Sequence, residues 1–244
     1  MRYIPVENDI NKALAFANSL DPKFNTQVQK LNQKPNYINT IEVVENLQNE
    51  GWKIYGVDEL REKRNRKINK HFLKMNHPDF KMEGEGESCI SITNSCDGKS
   101  SLNIDMGMIR YICTNGLVGW NKVFQGNINH NESKDFNYDL IGQYMKSINL
   151  ASGKMINEAE KLKSKILTPD EINELAYRAS LLRYTPAEKF DFTKLLNVRR
   201  NEDQGSDLWV VYNRIQENLT KDITNNQVDI KMNKRLFSLV EELV

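Results

Sequence analysis

Part-way along this chain the spacing of its apolar residues changes, and that change limits the architectures open to it. In residues 87–94 (ESCISITN), Ile90 and Ile92 alternate with Cys89, Ser91 and Thr93, the two-residue rhythm of a strand with unlike faces. Leu102, Ile104, Met106, Met108 and Tyr111-Ile112 continue as a second, longer strand. From about residue 133 the step becomes three or four: Tyr138, Ile141, Met145, Ile148, Met155, Ala159, Leu162 and Ile166 form one helical stripe. Strands first and helices second predict an α+β protein, with an antiparallel sheet or meander in the first half and a mainly helical second half. A βαβ parallel sheet would interleave the two patterns.

Local signals divide the chain further. Residues 1–37 read as a partly irregular N-terminal arm, interrupted by Pro5, Pro22 and Pro35, with a short helix around Ile10, Leu14 and Phe16-Ala17. Residues 38–130 form the sheet-containing core, and residues 131–244 a helical part packed on it, together one globular unit. Asn39 with Glu42 is a capping box that starts a helix over 40–50, and Gly51 stops it. Trp52, Ile54, Tyr55 and Val57 predict a strand, with turns near Gly84 and Gly86 and at Cys96-Asp97-Gly98-Lys99. Thr168-Pro169-Asp170-Glu171 and Thr185-Pro186-Ala187-Glu188 both predict helix starts, a helix runs from Leu208 toward Lys221, and Asn233 caps the last helix.

Charge and cysteine usage narrow the function. With 34 Lys+Arg against 33 Asp+Glu the net charge is +1, so any polyanion site must be local. Three cysteines, with no Cys-x-x-Cys pair, predict neither a disulfide framework nor a zinc knuckle. No run of eighteen apolar residues and no signal-peptide pattern occurs, and the expected location is the cytoplasm, away from membranes.

The strongest functional signal is local. Residues 61–74 (REKRNRKINKHFLK) carry Arg61, Lys63, Arg64, Arg66, Lys67, Lys70 and Lys74 against a single glutamate, a density that concentrates phosphates and that a solvated surface face also shows. Ile68, Phe72 and Met75 suit a helix there; Arg64-Asn65 suits a hairpin. Gly98-Lys99-Ser100 resembles the end of a phosphate-binding loop, but Thr93 stands where that loop needs glycine and a strand follows in place of a helix. His71, His77, Cys89, Cys96, Cys113 and His130 fall at no zinc-site spacing, and no hydrolase motif appears. The expectation is no metal, no cofactor and no enzyme; catalysis would need Asp97, Arg110, Asn115 and Cys113 to share a pocket. Arg110 reads as an ion-pair anchor or a ligand-binding residue. Arg199-Arg200 would clamp phosphate or, given Glu202, Asp203 and Asp207 close by, form an internal salt-bridge network. Trp209, Tyr212 and Ile215 recur at helical spacing as core.

Asn94-Ser95, Asp97-Gly98, Arg110, Cys113, Asn115-Gly116-Leu117, Arg199-Arg200, Leu208-Trp209 and Gln216-Glu217-Asn218 together resemble the phage- and plasmid-like family known as domain of unknown function nine-three-two, over roughly residues 38–225. Cys96 is a departure, since that family often has histidine there. The resemblance implies a mobile-element origin and makes Asn94, Asp97, Gly98, Arg110, Asn115, Arg199, Arg200 and Trp209 motif residues. More distantly, a sheet with a basic hairpin followed by helices resembles phage single-strand annealing proteins. The reading is an oligomeric nucleic-acid-binding protein, with single-stranded DNA favoured and a role in annealing or recombination. In it Arg61, Lys63, Arg64, Arg66, Lys67, Lys70, Lys74 and Arg110 contact phosphates, and Tyr55, Phe72 or Tyr111 stacks bases. The alternative is an anti-restriction or other anti-defence factor that binds a host protein.

Overall fold

The computed structural model describes residues 4–17, 38–61, 68–95, 101–110, 125–128, 138–223 and 226–244. The candidate residues Lys63, Arg64, Arg66, Lys67, Cys96, Asp97, Gly98, Tyr111, Cys113, Asn115 and His130 lie outside the described residues.

Among the described residues six strands, β1 (Ile4–Pro5), β2 (Lys53–Arg61), β3 (Ile68–Met82), β4 (Gly86–Ser95), β5 (Leu102–Arg110) and β6 (Gln125–Ile128), pair antiparallel in chain order. The meander is therefore real, and the basic segment resolves as a hairpin: Arg61 lies opposite Ile68. The described helices are α1 (Ile10–Phe16), α2 (Thr40–Asn49), α3 (Tyr138–Ser164), α4 (Pro169–Ser180), α5 (Leu208–Thr220) and α6 (Asn226–Glu241), with short 3-10 turns between α4 and α5, so the protein is α+β with sheet first and helices second.

Strand alternation sorts the two faces. The cross-strand rows Val57–Leu73–Ile92–Ile104 and Met75–Ile90–Met106 are apolar, while the intervening row is Lys74–Ser91–Asp105. The apolar face packs on Ala13 of α1, on Val43, Val44 and Leu47 of α2, and on Ile148 and Ala151 of α3. Further along α3, Met155, Ala159 and Leu162 join Met82, Met108, Trp209, Tyr212, Ile215 and Phe237 in a second core. One helix thus serves both cores.

The ends of the helices follow their sequence signals where tertiary contacts agree. The Asn39 side chain accepts from the Ile41 amide and donates to Glu42, and Gly51 leaves α2 at φ +93°. Thr168 and Glu171 form the full capping box of α4. The first residues of the arm belong to the core: β1 pairs with β2 at Val57 and Gly56. Asn8, at φ +60°, exchanges hydrogen bonds with Ile54, its side chain accepting from the Ile54 amide at 2.8 Å and its amide donating to the Ile54 carbonyl.

Two expected helix signals are corrected. The Thr185 box begins only a single 3-10 turn, Pro186–Glu188, because Lys189 turns left-handed (φ +48°) and brings Phe190 back to stack on Tyr184 at 3.8 Å. Asn233 caps nothing: it lies in the middle of α6, fully buried, accepting from Gln216 and donating to the Asp229 carbonyl.

Candidate functional site

Among the described residues, several of those singled out by sequence lie toward two opposite ends of the sheet. At one end the β2–β3 hairpin closes on the Arg61–Ile68 pair, and Lys63, Arg64, Arg66 and Lys67 follow one another in the segment joining them. On the next strands Lys70 lies opposite Ser95 and His71 opposite Asn94, so β4 ends beside this hairpin and runs directly into the Asp97-Gly98 segment.

Beneath this end is a buried polar cluster that sequence reasoning missed. The Asn94 side-chain amide donates to the Ile38 carbonyl at 3.0 Å and to the Thr40 hydroxyl at 2.8 Å, and its oxygen accepts from the Ser95 amide. Thr40 Oγ1 shares a 2.7 Å hydrogen bond with His71 Nε2. Thr40, His71 and Asn94 are all at most 1 % exposed. No periodicity marks such a cluster; only the strand register brings its members together.

Two cations grouped with the basic run are placed elsewhere. Lys74 is 6 % exposed, in the Lys74–Ser91–Asp105 row, where its charge acts on Asp229 of α6. Arg110 is 3 % exposed at the opposite end of the sheet. Phe72, 1 % exposed, is likewise too deeply buried to stack a base, whereas Tyr55 is 42 % exposed. Cys89 is fully buried, which pushes its thiol up to about 12 and leaves it a small core residue.

At the far end Gly86 lies opposite Arg110, and a Cβ on Gly86 would come within 2.1 Å of the Ile109 carbonyl oxygen, so only glycine permits this approach. The preceding turn sets Glu85 beside Arg110 (3.6 Å), while Arg110 Nη1 donates to Asp203 at 3.0 Å. Glu85 also accepts from Trp209 Nε1 at 3.2 Å and from Lys163 at 3.1 Å. Asp203 accepts from Arg200 at 3.0 Å, and Arg200 grips both oxygens of Glu217 at 2.7 Å, with Arg199 added at 3.2 Å. Arg110 is therefore an ion-pair anchor. Arg199-Arg200 enter the internal network expected from their mixed-sign surroundings, but their partners are Asp203 and Glu217; Asp207 instead caps α5 at the Val210 amide.

The electrostatics agree with a mutually compensated knot. Burial pushes the Glu85 carboxyl up, but hydrogen bonds from Trp209 and Lys163 and the charges of Lys163 and Arg110 outweigh it and hold the carboxyl below its ordinary range. Hydrogen bonding to Glu217 raises Arg200 further. No motif or spacing points to Glu85 or Lys163, which meet in the knot from 78 residues apart. Trp209, Tyr212 and Ile215 are completely buried, as their spacing predicts. Among the described residues no His, Cys, Asp and Glu side chains group as a metal site, and no helix is long and apolar enough to cross a membrane.

Comparison with known proteins places both ends within the span of one family. The family described as a domain of unknown function (DUF932) matches residues 29–237. The UPF0380 protein YfjQ of Escherichia coli K12 is 26 % identical over 230 residues, covering 85 % of this chain and 82 % of that protein. The UPF0380 protein YafZ of the same organism is 27 % identical over 230 residues, with the same coverage. No solved structure matches.

Proposed function

Since the chain belongs to the DUF932 family of unknown function, we propose a role from the distribution of its own charges: it binds the phosphate backbone of nucleic acid, single-stranded DNA in preference, through the β2–β3 hairpin. The observation that carries this reading is the Arg61–Ile68 pairing. It assigns Lys63, Arg64, Arg66 and Lys67, with no carboxylate between them in the sequence, to the connection of an antiparallel hairpin. A short segment with four cations and one carboxylate, Glu62, on an otherwise neutral protein (+1 overall) suits a flexible single strand better than the extended surface of a duplex. Tyr55 supplies an exposed aromatic ring on the same hairpin. The distant resemblance to annealing proteins extends the reading to strand annealing or recombination in a phage or plasmid setting, performed by an oligomer.

Fluorescence anisotropy of labelled single-stranded and duplex oligonucleotides across a salt series tests it, with the mass in solution recorded alongside. Salt-sensitive binding that favours the single strand is expected, log K falling by about 0.7 per phosphate contacted for each decade of salt. Absence of binding at low salt removes the reading.

A second reading, an anti-restriction or other anti-defence factor that binds a host protein, draws on the neutral overall charge and on Tyr177, Leu181 and Val198, which expose 46 %, 44 % and 44 % of their surface on the helical half. Capture of one stoichiometric host partner by protein that ignores DNA would favour it.

A further inference from the structure

We infer that the buried Thr40–His71–Asn94 cluster is a positioning device that sets the basic hairpin and the β4 terminus in one fixed relation for binding; this rests on the nucleic-acid reading above. Elsewhere on the same sheet face the cross-strand rows are Val, Leu, Ile and Met, which fill space without specifying direction. Here the chain buries three polar side chains with at most 1 % exposure each. Apolar residues of similar shape would serve stability as well, because a buried hydrogen-bonded network gains little net free energy over its hydrophobic replacement. What the network adds is direction: each bond fixes an angle as well as a distance.

The connections show what is being fixed. His71 lies three residues into β3 from Ile68, the residue that closes the hairpin opposite Arg61. Asn94 is the penultimate residue of β4, and its oxygen, by accepting from the Ser95 amide at 2.8 Å, holds the last residue of the strand. Both Asn94 side-chain hydrogens are spent on the start of α2, at the Ile38 carbonyl and the Thr40 hydroxyl. Thr40 Oγ1 is therefore the common point, bonded to Asn94 at 2.8 Å and to His71 at 2.7 Å. A shift of the hairpin against β4 or α2 by about an ångström would break one of these bonds, so the cluster resists the motions that would scatter the phosphate contacts.

Thr40→Val and Thr40→Ser separate this role from simple support, because valine keeps the shape of threonine without its hydroxyl and serine keeps the hydroxyl. With a labelled single-stranded oligonucleotide, Thr40→Val should bind about tenfold more weakly, by analogy with the loss at metal sites when a hydrogen bond that orients a ligand is removed. Its salt slope should be shallower than wild type although every cation is retained, and Thr40→Ser should restore both affinity and slope. Valine and serine variants that match wild type in affinity and slope overturn the inference. So does a valine variant whose loss of binding is not rescued by serine. If Thr40→Val does not fold by circular dichroism, hydrogen exchange on the wild-type protein decides: exchange of the amides of residues 68–73 and 94–95 that is already slow in the free protein and unchanged by oligonucleotide supports positioning, and fast exchange there that slows only on binding overturns it. Wild-type protein that binds no oligonucleotide at all defeats the nucleic-acid reading itself, a result distinct from any of these.

Discussion

At the Gly86 end of the sheet, Arg110, Arg199, Arg200 and Lys163 meet Glu85, Asp203 and Glu217 in a chain of ion pairs that runs from the interior to the surface. At the Arg61 end, Arg61, Lys63, Arg64, Arg66 and Lys67 follow one another with Glu62 the only carboxylate among them. The residue types are alike and the consequences opposite. Where cations come from distant segments and each finds a carboxylate, they join sheet to helices. Where they are crowded into one connection, their like charges add to a local positive density, which is what the proposed phosphate contacts would use.

The contrast breaks most severely at Asp203. Asp203→Ala would leave Arg110, which is 3 % exposed, with only the longer 3.6 Å pairing to Glu85, and should cost about 3 kcal/mol of stability, read from urea denaturation; a cost below about 1 kcal/mol would mean that the knot holds nothing together. Glu217→Gln, which weakens the grip on Arg200 and Arg199, should cost about 1–3 kcal/mol in the same measurement.

Acid sharpens the contrast next. The folded-state pKa of Glu85 is lowered, so its contribution to stability is complete above the ordinary glutamate value and is lost as pH falls through the lowered one; Glu85→Gln should flatten that acid limb. Asp229 behaves with the opposite sign: burial raises it against the pull of Lys74, so stability declines as pH rises from the ordinary aspartate value through the raised one. Denaturation curves recorded from acid to neutral pH separate the two. The smallest effect on stability belongs to the other end of the sheet: replacing Lys63, Arg64, Arg66 and Lys67 together by Gln should change stability by less than about 0.5 kcal/mol while abolishing salt-dependent oligonucleotide binding.

Much of the fold was legible because its signals are local. Alternation at Ile90 and Ile92, the Asn39 and Thr168 caps and the stop at Gly51 each depend on a few adjacent residues. The Thr185 box failed as a helix signal because a stacked Tyr184–Phe190 pair outweighed it one turn later. Asn233 failed because an asparagine can serve a buried partner on a neighbouring helix as well as a helix end. Of the candidate site, the cation density and the ion-pair option for Arg110 were visible, but the burial of Lys74 was not, since a strand faces one way or the other according to a register that turns and distant packing determine. Glu85, Glu217 and Thr40 acquire their roles only from pairings far along the chain.

Because the strands pair in chain order, the sheet can assemble as the polypeptide leaves the ribosome, each new strand adding to the one before it. Met82 and Met108, however, wait for the distal part of α3 and the helices beyond it to cover them. At roughly 5–20 residues per second, synthesis reaches those helices only several seconds after β5 is complete. A sheet formed in that interval would still lack the helices that bury Met82 and Met108, so the order of translation makes the second core the last part of the molecule to close.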